Sequence, residues 1–429
     1  PRALRVAVVM PEPPRGSGGH VSIMRMVAGL DAAGHRVTVH IVPGAQMRHA
    51  TERDAARFMR AHFPRSGARF RLGADLAPSD VAIATGWTTA HAVALAPNVR
   101  TRLYFVQDFE PFFQPLGPDW LAAEATYRLG LGHVTLGPWL AETLRDRYGA
   151  RAEPIAFGVD HAVYRLADAD RAAGGAPGGP PRRPRVVFYG RASTPRRGVA
   201  LGLAALARVV AARPEVEVVL YGGEPGGALA AFPHAQAGVL APHELAALYR
   251  SADCGLALSY TNLSFVPIEM AACGLPVVVA RSAPSAWFQR DGETCLVAES
   301  TAESLAAAML RVLDDPALAG ALAARARAEV APLDWARSVA QFVGHVEAYA
   351  AADADAARAG LPALTGPPPQ RPAEIALDVP GGRAGEARAL AEPPTGAPPP
   401  ADPGSTAAPR RADELGWWLT PERDGLHRV

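Results

Sequence analysis

Apolar positions along the chain follow two rhythms that take turns. Short runs rich in Val and Ile alternate with longer stretches whose apolar residues recur at helical period. Leu4 to Met10 reads as a buried strand, Val21 to Gly34 as a helix ended by its glycine, and His35 to Val42 as a second strand. Strand, helix, strand is the βαβ unit of a parallel sheet. Further strands are predicted at Val81 to Thr85, Arg102 to Gln107, His133 to Leu136 and Glu153 to Phe157. Residues 1–166 therefore read as one doubly wound domain.

The pattern breaks over residues 167–184, where Ala, Gly, Pro and charge leave nothing to bury; this is the expected linker. It restarts with strands at Arg185 to Gly190, Glu215 to Gly223, Cys254 to Ser259 and Pro276 to Ala280. Helices fall between them over Val199 to Ala212, His243 to Ser251 and Pro267 to Cys273. A long amphipathic helix, Leu333 to Ala350, closes a second doubly wound domain, residues 185–350. From 351 to 429 the text is rich in Pro, Ala and Gly and is expected to be mostly disordered. Trp417 and Trp418 interrupt it, as a docking motif or as an accident of the tail.

Composition narrows the function classes. The 429 residues carry 43 basic and 42 acidic side chains, net +1, and every basic one outside histidine is arginine. Without a basic excess or run, a nucleic-acid partner is not expected. The three cysteines, Cys254, Cys273 and Cys295, lack metal-site spacing and fit a reducing compartment. Leu4 to Met10 is followed by no small-residue cleavage site, and no apolar stretch reaches about 18 residues, so neither a signal peptide nor a membrane span is predicted.

Chemistry is expected where the carboxyl ends of the two sheets face each other. After the first strand, Gly18 and Gly19 open a helix whose amides suit a phosphate or a sugar, with His20 beside them. After the strand ending at Gly190 come Arg191, Arg196 and Arg197, three cations placed for a diphosphate. Gly222 ends another strand. In the block Thr261 to Val278, Ser264 and Phe265 precede a helix that holds Glu269 near its start, where a carboxylate meets either the helix dipole or a ribose hydroxyl. Gln107, Asp108 and Glu110 follow a strand at the cleft edge, where Asp108 or Glu110 orients an acceptor hydroxyl. Of the nearby aromatics, Phe112 and Phe113 are expected to fill the core.

These motifs in this order resemble retaining glycosyltransferases of family 4. The matching text is the glycine pair near the amino end with the strand entry Gly34 to Val39, then Phe157 to Asp160. Arg191 to Gly198, His243 to Ser259 and Glu269 to Ala280 complete it, so the resemblance spans residues 3–350. It implies the GT-B architecture of two Rossmann-like domains. It also implies that Arg191 and Arg197 hold the donor diphosphate and that Glu269 contacts the donor ribose. The sequence departs from the family at Thr261, which replaces the first glutamate of the E-x7-E motif, and at Ser264, which replaces a glycine. The segments Phe105 to Phe113 and Phe188 to Arg196 are similar to a narrower branch that includes bacterial rhamnosyltransferases using dTDP-rhamnose.

The resemblance implies a sugar donor bound as a nucleoside diphosphate and a saccharide or lipid-linked acceptor. No metal or other cofactor is expected, and the enzyme is placed in the cytoplasm or at the inner face of the plasma membrane, with peripheral membrane association. Two other readings share the architecture: a nucleotide-sugar 2-epimerase, and a non-catalytic sugar-nucleotide-binding scaffold.

Overall fold

The computed structural model describes residues 2–14, 16–43, 49–166, 182–191, 194–223, 230–359 and 361–365. Seven parallel strands build the amino-terminal sheet: β1 (Arg5–Pro11), β2 (Arg36–Val42), β3 (Arg69–Leu72), β4 (Ser79–Ala84), β5 (Val99–Val106), β6 (Gly132–Leu136) and β7 (Ala152–Ile155). Their spatial order is β3-β2-β1-β4-β5-β6-β7. Six more build the second sheet: β8 (Arg185–Tyr189), β9 (Glu217–Tyr221), β10 (Ala235–Gly238), β11 (Cys254–Ala257), β12 (Val277–Ala280) and β13 (Leu296–Ala298), in the order β10-β9-β8-β11-β12-β13. In each sheet the chain starts in the middle, winds outward, and returns to the far side of its first strand. That reversal, between β1 and β4 and between β8 and β11, opens a crevice at the strands' carboxyl ends.

The expected strands are present, and they are buried because helices cover both faces of a parallel sheet. Helix α1 (Gly18–Ala32) begins three residues earlier than expected, at the glycine pair. Several elements were not announced by the sequence pattern, among them β3 and α2 (Glu52–His62). Strand β3 is a four-residue edge strand with arginine at alternate positions, and helix α2 is polar apart from a narrow apolar stripe. Its start is set by Thr51, whose hydroxyl accepts the Asp54 amide.

Helices α3 (Trp87–Leu95), α4 (Pro118–Ala125) and α5 (Pro138–Tyr148) complete the first half. In the second, α6 (Val199–Ala212), α7 (Pro242–Arg250), α8 (Phe265–Ala272), α9 (Ala302–Asp314), α10 (Pro316–Val330) and α11 (Trp335–Arg358) follow in turn. Among the described residues no helix is long and apolar enough to cross a membrane.

The last helix departs from expectation in both length and allegiance. It runs to Arg358, eight residues past the expected boundary at 350, and packs on the amino-terminal sheet. Phe342 meets Phe105 edge-on at 5.1 Å, and the Gln341 side chain accepts the Ala156 amide at 2.9 Å. The crossing with α1 is so close that a Cβ on Gly29 would lie 2.1 Å from Val339. Helical periodicity shows that a face is apolar, not which sheet it covers.

Residues 361–365 stay with that body as well. Asp353, fully buried, accepts hydrogen bonds from the amides of Leu364 and Thr365 and from the Thr365 hydroxyl; Thr365 Oγ1 in turn accepts the Arg102 amide at 2.9 Å. The rest of the tail, with Trp417 and Trp418, lies outside the described residues.

The anchor has a measurable weight. Asp353→Ala leaves buried amides unpaired and is expected to lower unfolding stability by about 1–3 kcal/mol in urea titrations. An unchanged midpoint would show that residues 361–365 contribute nothing to the fold.

Candidate functional site

The glycine loop after β1 organises itself through His20. Its Nε2 lies 3.1 Å from the Pro11 carbonyl and its Nδ1 2.7 Å from Ser17 Oγ. A carbonyl only accepts, so Nε2 carries the proton and Nδ1 accepts the Ser17 hydroxyl. Burial pushes the ring's pKa down to about 4, which keeps it neutral. Both nitrogens are thus engaged, so His20 shapes the loop instead of offering a group to an acceptor. Ser17 stands at the N-cap of α1 without capping it, leaving the first amides, those of Gly18 and Gly19, to the crevice. Gln107 lies alongside, 3.7 Å from where a Gly19 Cβ would be.

The segment after β5 divides its work. Phe109 is fully buried among Tyr127, Trp139 and Tyr148, whereas Phe112 is 42% exposed. The expectation that Phe112 and Phe113 fill the core is therefore corrected: Phe112 meets Phe109 edge-on at 4.7 Å but stays exposed, and Phe113 is only half-buried. Glu110 is also not a cleft residue. Its buried carboxylate accepts the Trp87 amide at 2.6 Å, fixing the start of α3, and burial raises its pKa to about 7.

Asp108 does reach the cleft, and meets the second domain there. Its Oδ2 lies 3.6 Å from Arg196 Nε, and the Arg196 guanidinium lies 4.1 Å over the ring of Phe113. Burial raises the Asp108 pKa, while Arg196, Thr261 and Arg197 act in the other direction.

Three arginines follow β8, and they differ. Arg197 donates to Ser259 Oγ at 2.8 Å, and that hydroxyl donates to the Asn262 carbonyl at 2.7 Å. Burial first, then the charge of Arg196, pushes the Arg197 pKa down. The Arg191 carbonyl accepts the Thr194 amide at 3.1 Å, whereas its partly exposed side chain makes no hydrogen bond or ion pair among the described residues. Beside them Gly222, at φ +81°, leaves room for a neighbour: a Cβ there would sit 2.1 Å from the Tyr189 ring.

At the start of α8, Ser264 is buried and does not cap the helix with its side chain. Phe265 packs between Phe157 and Trp335, each at 5.3 Å, and so serves the joint between the domains instead of the donor pocket. Glu269 is half-buried. Burial raises its pKa to about 8, against the opposing pull of the Tyr164 hydroxyl and the Arg25 charge. Arg25 pairs with Asp160 at 3.1 Å and lies 4.8 Å over Trp335.

The structure thus brings together Asp108, Arg196, Arg197 and Thr261, sets Gly18, Gly19 and Gln107 on the facing rim, and leaves Glu269 half-buried, with Tyr221 feeling the charges of both Glu269 and Arg197. Sequence reasoning missed Asn262, which has no signal of its own within the block Thr261 to Val278. Its Nδ2 donates to the main-chain carbonyls of Gln107 at 2.9 Å and Leu136 at 3.2 Å, across to the amino-terminal sheet. It also missed Arg25, whose signal was a lone charge in the apolar run of α1.

Residues 183–315 match the family model described as "Glycosyl transferases group 1". The chain is 35% identical over 266 residues to the O-antigen biosynthesis protein RfbC of Myxococcus xanthus, covering 61% of this chain and 20% of that protein. It is 33% identical over 227 residues to a phosphatidyl-myo-inositol mannosyltransferase of Mycolicibacterium smegmatis, covering 50% of this chain and 56% of that one. The chain therefore spans about a fifth of the first relative and little more than half of the second. Among solved structures, Anabaena Alr3699/HepE in complex with UDP-glucose superposes with a TM-score of 0.61 at 15% identity, over 80% of this chain and all of that one. The fold is GT-B, two Rossmann-like parallel-sheet domains.

Two buried carboxyls give the fold a pH dependence. Both titrate above the ordinary 4.5, so each supports the folded state fully below about pH 4.5 and loses that support as pH rises through about 7 for Glu110 and about 8 for Glu269. Glu269→Gln removes the second contribution. Urea denaturation at about pH 5 and about pH 8 is expected to show the variant gaining on the wild type at the higher pH. A difference that stays constant would contradict a protonated Glu269.

Proposed function

We propose that this chain is a glycosyltransferase that moves a sugar from a nucleoside diphosphate to a hydroxyl of a glycan or lipid-linked acceptor, in assembly of a surface polysaccharide or glycolipid. The observation that carries the reading is the pair Arg191 and Arg197 at the carboxyl end of β8. They stand at the reversal point of the second sheet, inside the segment that matches the glycosyltransferase family. The names of the two curated relatives, one in O-antigen biosynthesis and one a mannosyltransferase, support the substrate class. The nucleotide-sugar complex of the GT-B neighbour supports the donor class. Donor rhamnose is the finer form of this proposal, resting on the segments Phe105 to Phe113 and Phe188 to Arg196.

In the reaction the bond between the anomeric carbon and the phosphate oxygen breaks, and its electron pair leaves on the diphosphate. Arg191 and Arg197 stabilise that developing charge in a site shielded from water, where fixed donors are worth most. The acceptor hydroxyl adds to the anomeric carbon on the face the diphosphate leaves, and its proton passes to a phosphate oxygen, so configuration is retained. Asp108 orients the hydroxyl. Glu269 receives the ribose hydroxyls. Closure of the domains, with Asn262 bonded across them, keeps water from the reactive sugar. A nucleotide-sugar donor places the enzyme on the cytoplasmic side, at the membrane surface when its acceptor is lipid-linked.

Arg191 is the clean residue to test, because its side chain has no hydrogen bond or ion pair to lose among the described residues. Arg191→Ala is expected to melt like the wild type without ligand. It should lose the added stability of about 2.7 kcal/mol that a nucleoside diphosphate gives at a hundred times its dissociation constant. Transfer followed by mass spectrometry should fall by about 10²- to 10³-fold in kcat/KM. A wild-type protein indifferent to every nucleoside diphosphate, and without transferase activity, would overturn the assignment.

A further inference from the structure

Arg196 is the one of the three arginines that reaches across the cleft, and its partnership there is incomplete. Its Nε is buried without a hydrogen-bond partner, and the Asp108 carboxylate lies 3.6 Å away, beyond a proper hydrogen bond. Thr261 Oγ1, buried beside them, faces the same carboxyl. Arg196 alone pairs with this carboxylate, since Arg197 donates to Ser259, and the guanidinium of Arg196 covers the face of Phe113 at 4.1 Å. A buried N–H left unpaired is costly, more so next to a charge. A phosphate oxygen at ordinary hydrogen-bond distance satisfies that N–H and the guanidinium charge together, better than the stretched pair does.

We propose that Arg196 senses the donor: an arriving nucleoside diphosphate draws its guanidinium off Asp108 and Phe113, and its departure frees a carboxylate and an aromatic face for the acceptor sugar. Asp108 and the diphosphate are then rivals for one cation. The freed pair is what a sugar requires, a carboxylate for its hydroxyls and a flat ring for its apolar face. Before the donor binds, Arg196 occupies the acceptor position, so the donor enters first. This inference rests on the glycosyltransferase reading, because it needs a diphosphate as ligand.

Rivalry has a signature that a simple donor contact lacks. Removing the rival tightens nucleotide binding, but only while Arg196 is present to be released. Calorimetric titration with UDP, dTDP, GDP and ADP as probes compares the wild type with Asp108→Asn, Arg196→Met and the double variant. Asp108→Asn is expected to bind the preferred nucleotide about three- to tenfold more tightly than the wild type. Arg196→Met should bind it more weakly, and adding Asp108→Asn to Arg196→Met should change nothing further. Phe113→Leu, which removes the ring under the guanidinium, should also tighten binding.

Unchanged or weakened binding by Asp108→Asn in a folded protein overturns the rivalry and leaves the glycosyltransferase reading standing. So does an equal gain in the Arg196→Met background. A folded wild type that binds none of the four nucleotides overturns the parent reading, and this inference with it.

Discussion

One side-chain amide holds the cleft together. Asn262 Nδ2 donates to the carbonyls of Gln107 and Leu136 at the carboxyl ends of two amino-terminal strands, while its Oδ1 accepts the Leu263 amide. Its own carbonyl accepts the Ser259 hydroxyl, which is the partner of Arg197. Nearly every polar valence of this residue is spent on aligning one sheet with the other. Because it is also almost wholly buried, each of those bonds is costly to leave unmade. The registration of Asp108 against Arg196, and of the glycine loop against the arginine loop, follows from it.

Closure sets the electrostatics. Within the domains and at the cleft alike, burial removes water from carboxyls and imidazoles, and the charged form suffers in each case. Glu110 and Glu269 move up, and His20 moves down, all with burial as the leading cause. The two arginines cannot discharge in this way, so the cleft retains a local cationic excess that net charge near zero conceals. An anion is the natural complement of such a site.

The last helix shows how the two domains become one body. Having completed the second half, the chain crosses back through Trp335, packs α11 on the first sheet, and ends in the Asp353 anchor. The aromatic joint of Phe157, Phe265 and Trp335, with Arg25 over the last ring, lies where the chain passes between domains. Phe265, expected at the donor, belongs to this joint, because a half-buried ring at a helix start packs on whatever surface the neighbouring domain presents.

What the sequence alone determined is what local physics determines. Alternation of β-branched runs with helical stretches marks two parallel, doubly wound halves, since a strand buried on both faces must be apolar throughout. The glycine pair before α1 and the arginines after β8 were legible for the same reason: strand ends in this fold point at ligand, and those residue types suit an anion. Tertiary structure decided everything that depends on which distant surfaces meet. It turned Glu110 into a helix anchor and His20 into a loop brace, exposed Phe112, and gave α11 to the opposite domain. It also placed Arg196 on Asp108 and made Asn262 the bridge. None of these has a period or a spacing in the chain: the His20 brace lies within nine residues, and most of the others are settled by contacts between segments tens to hundreds of residues apart, where hydrogen-bond geometry and desolvation choose the partner.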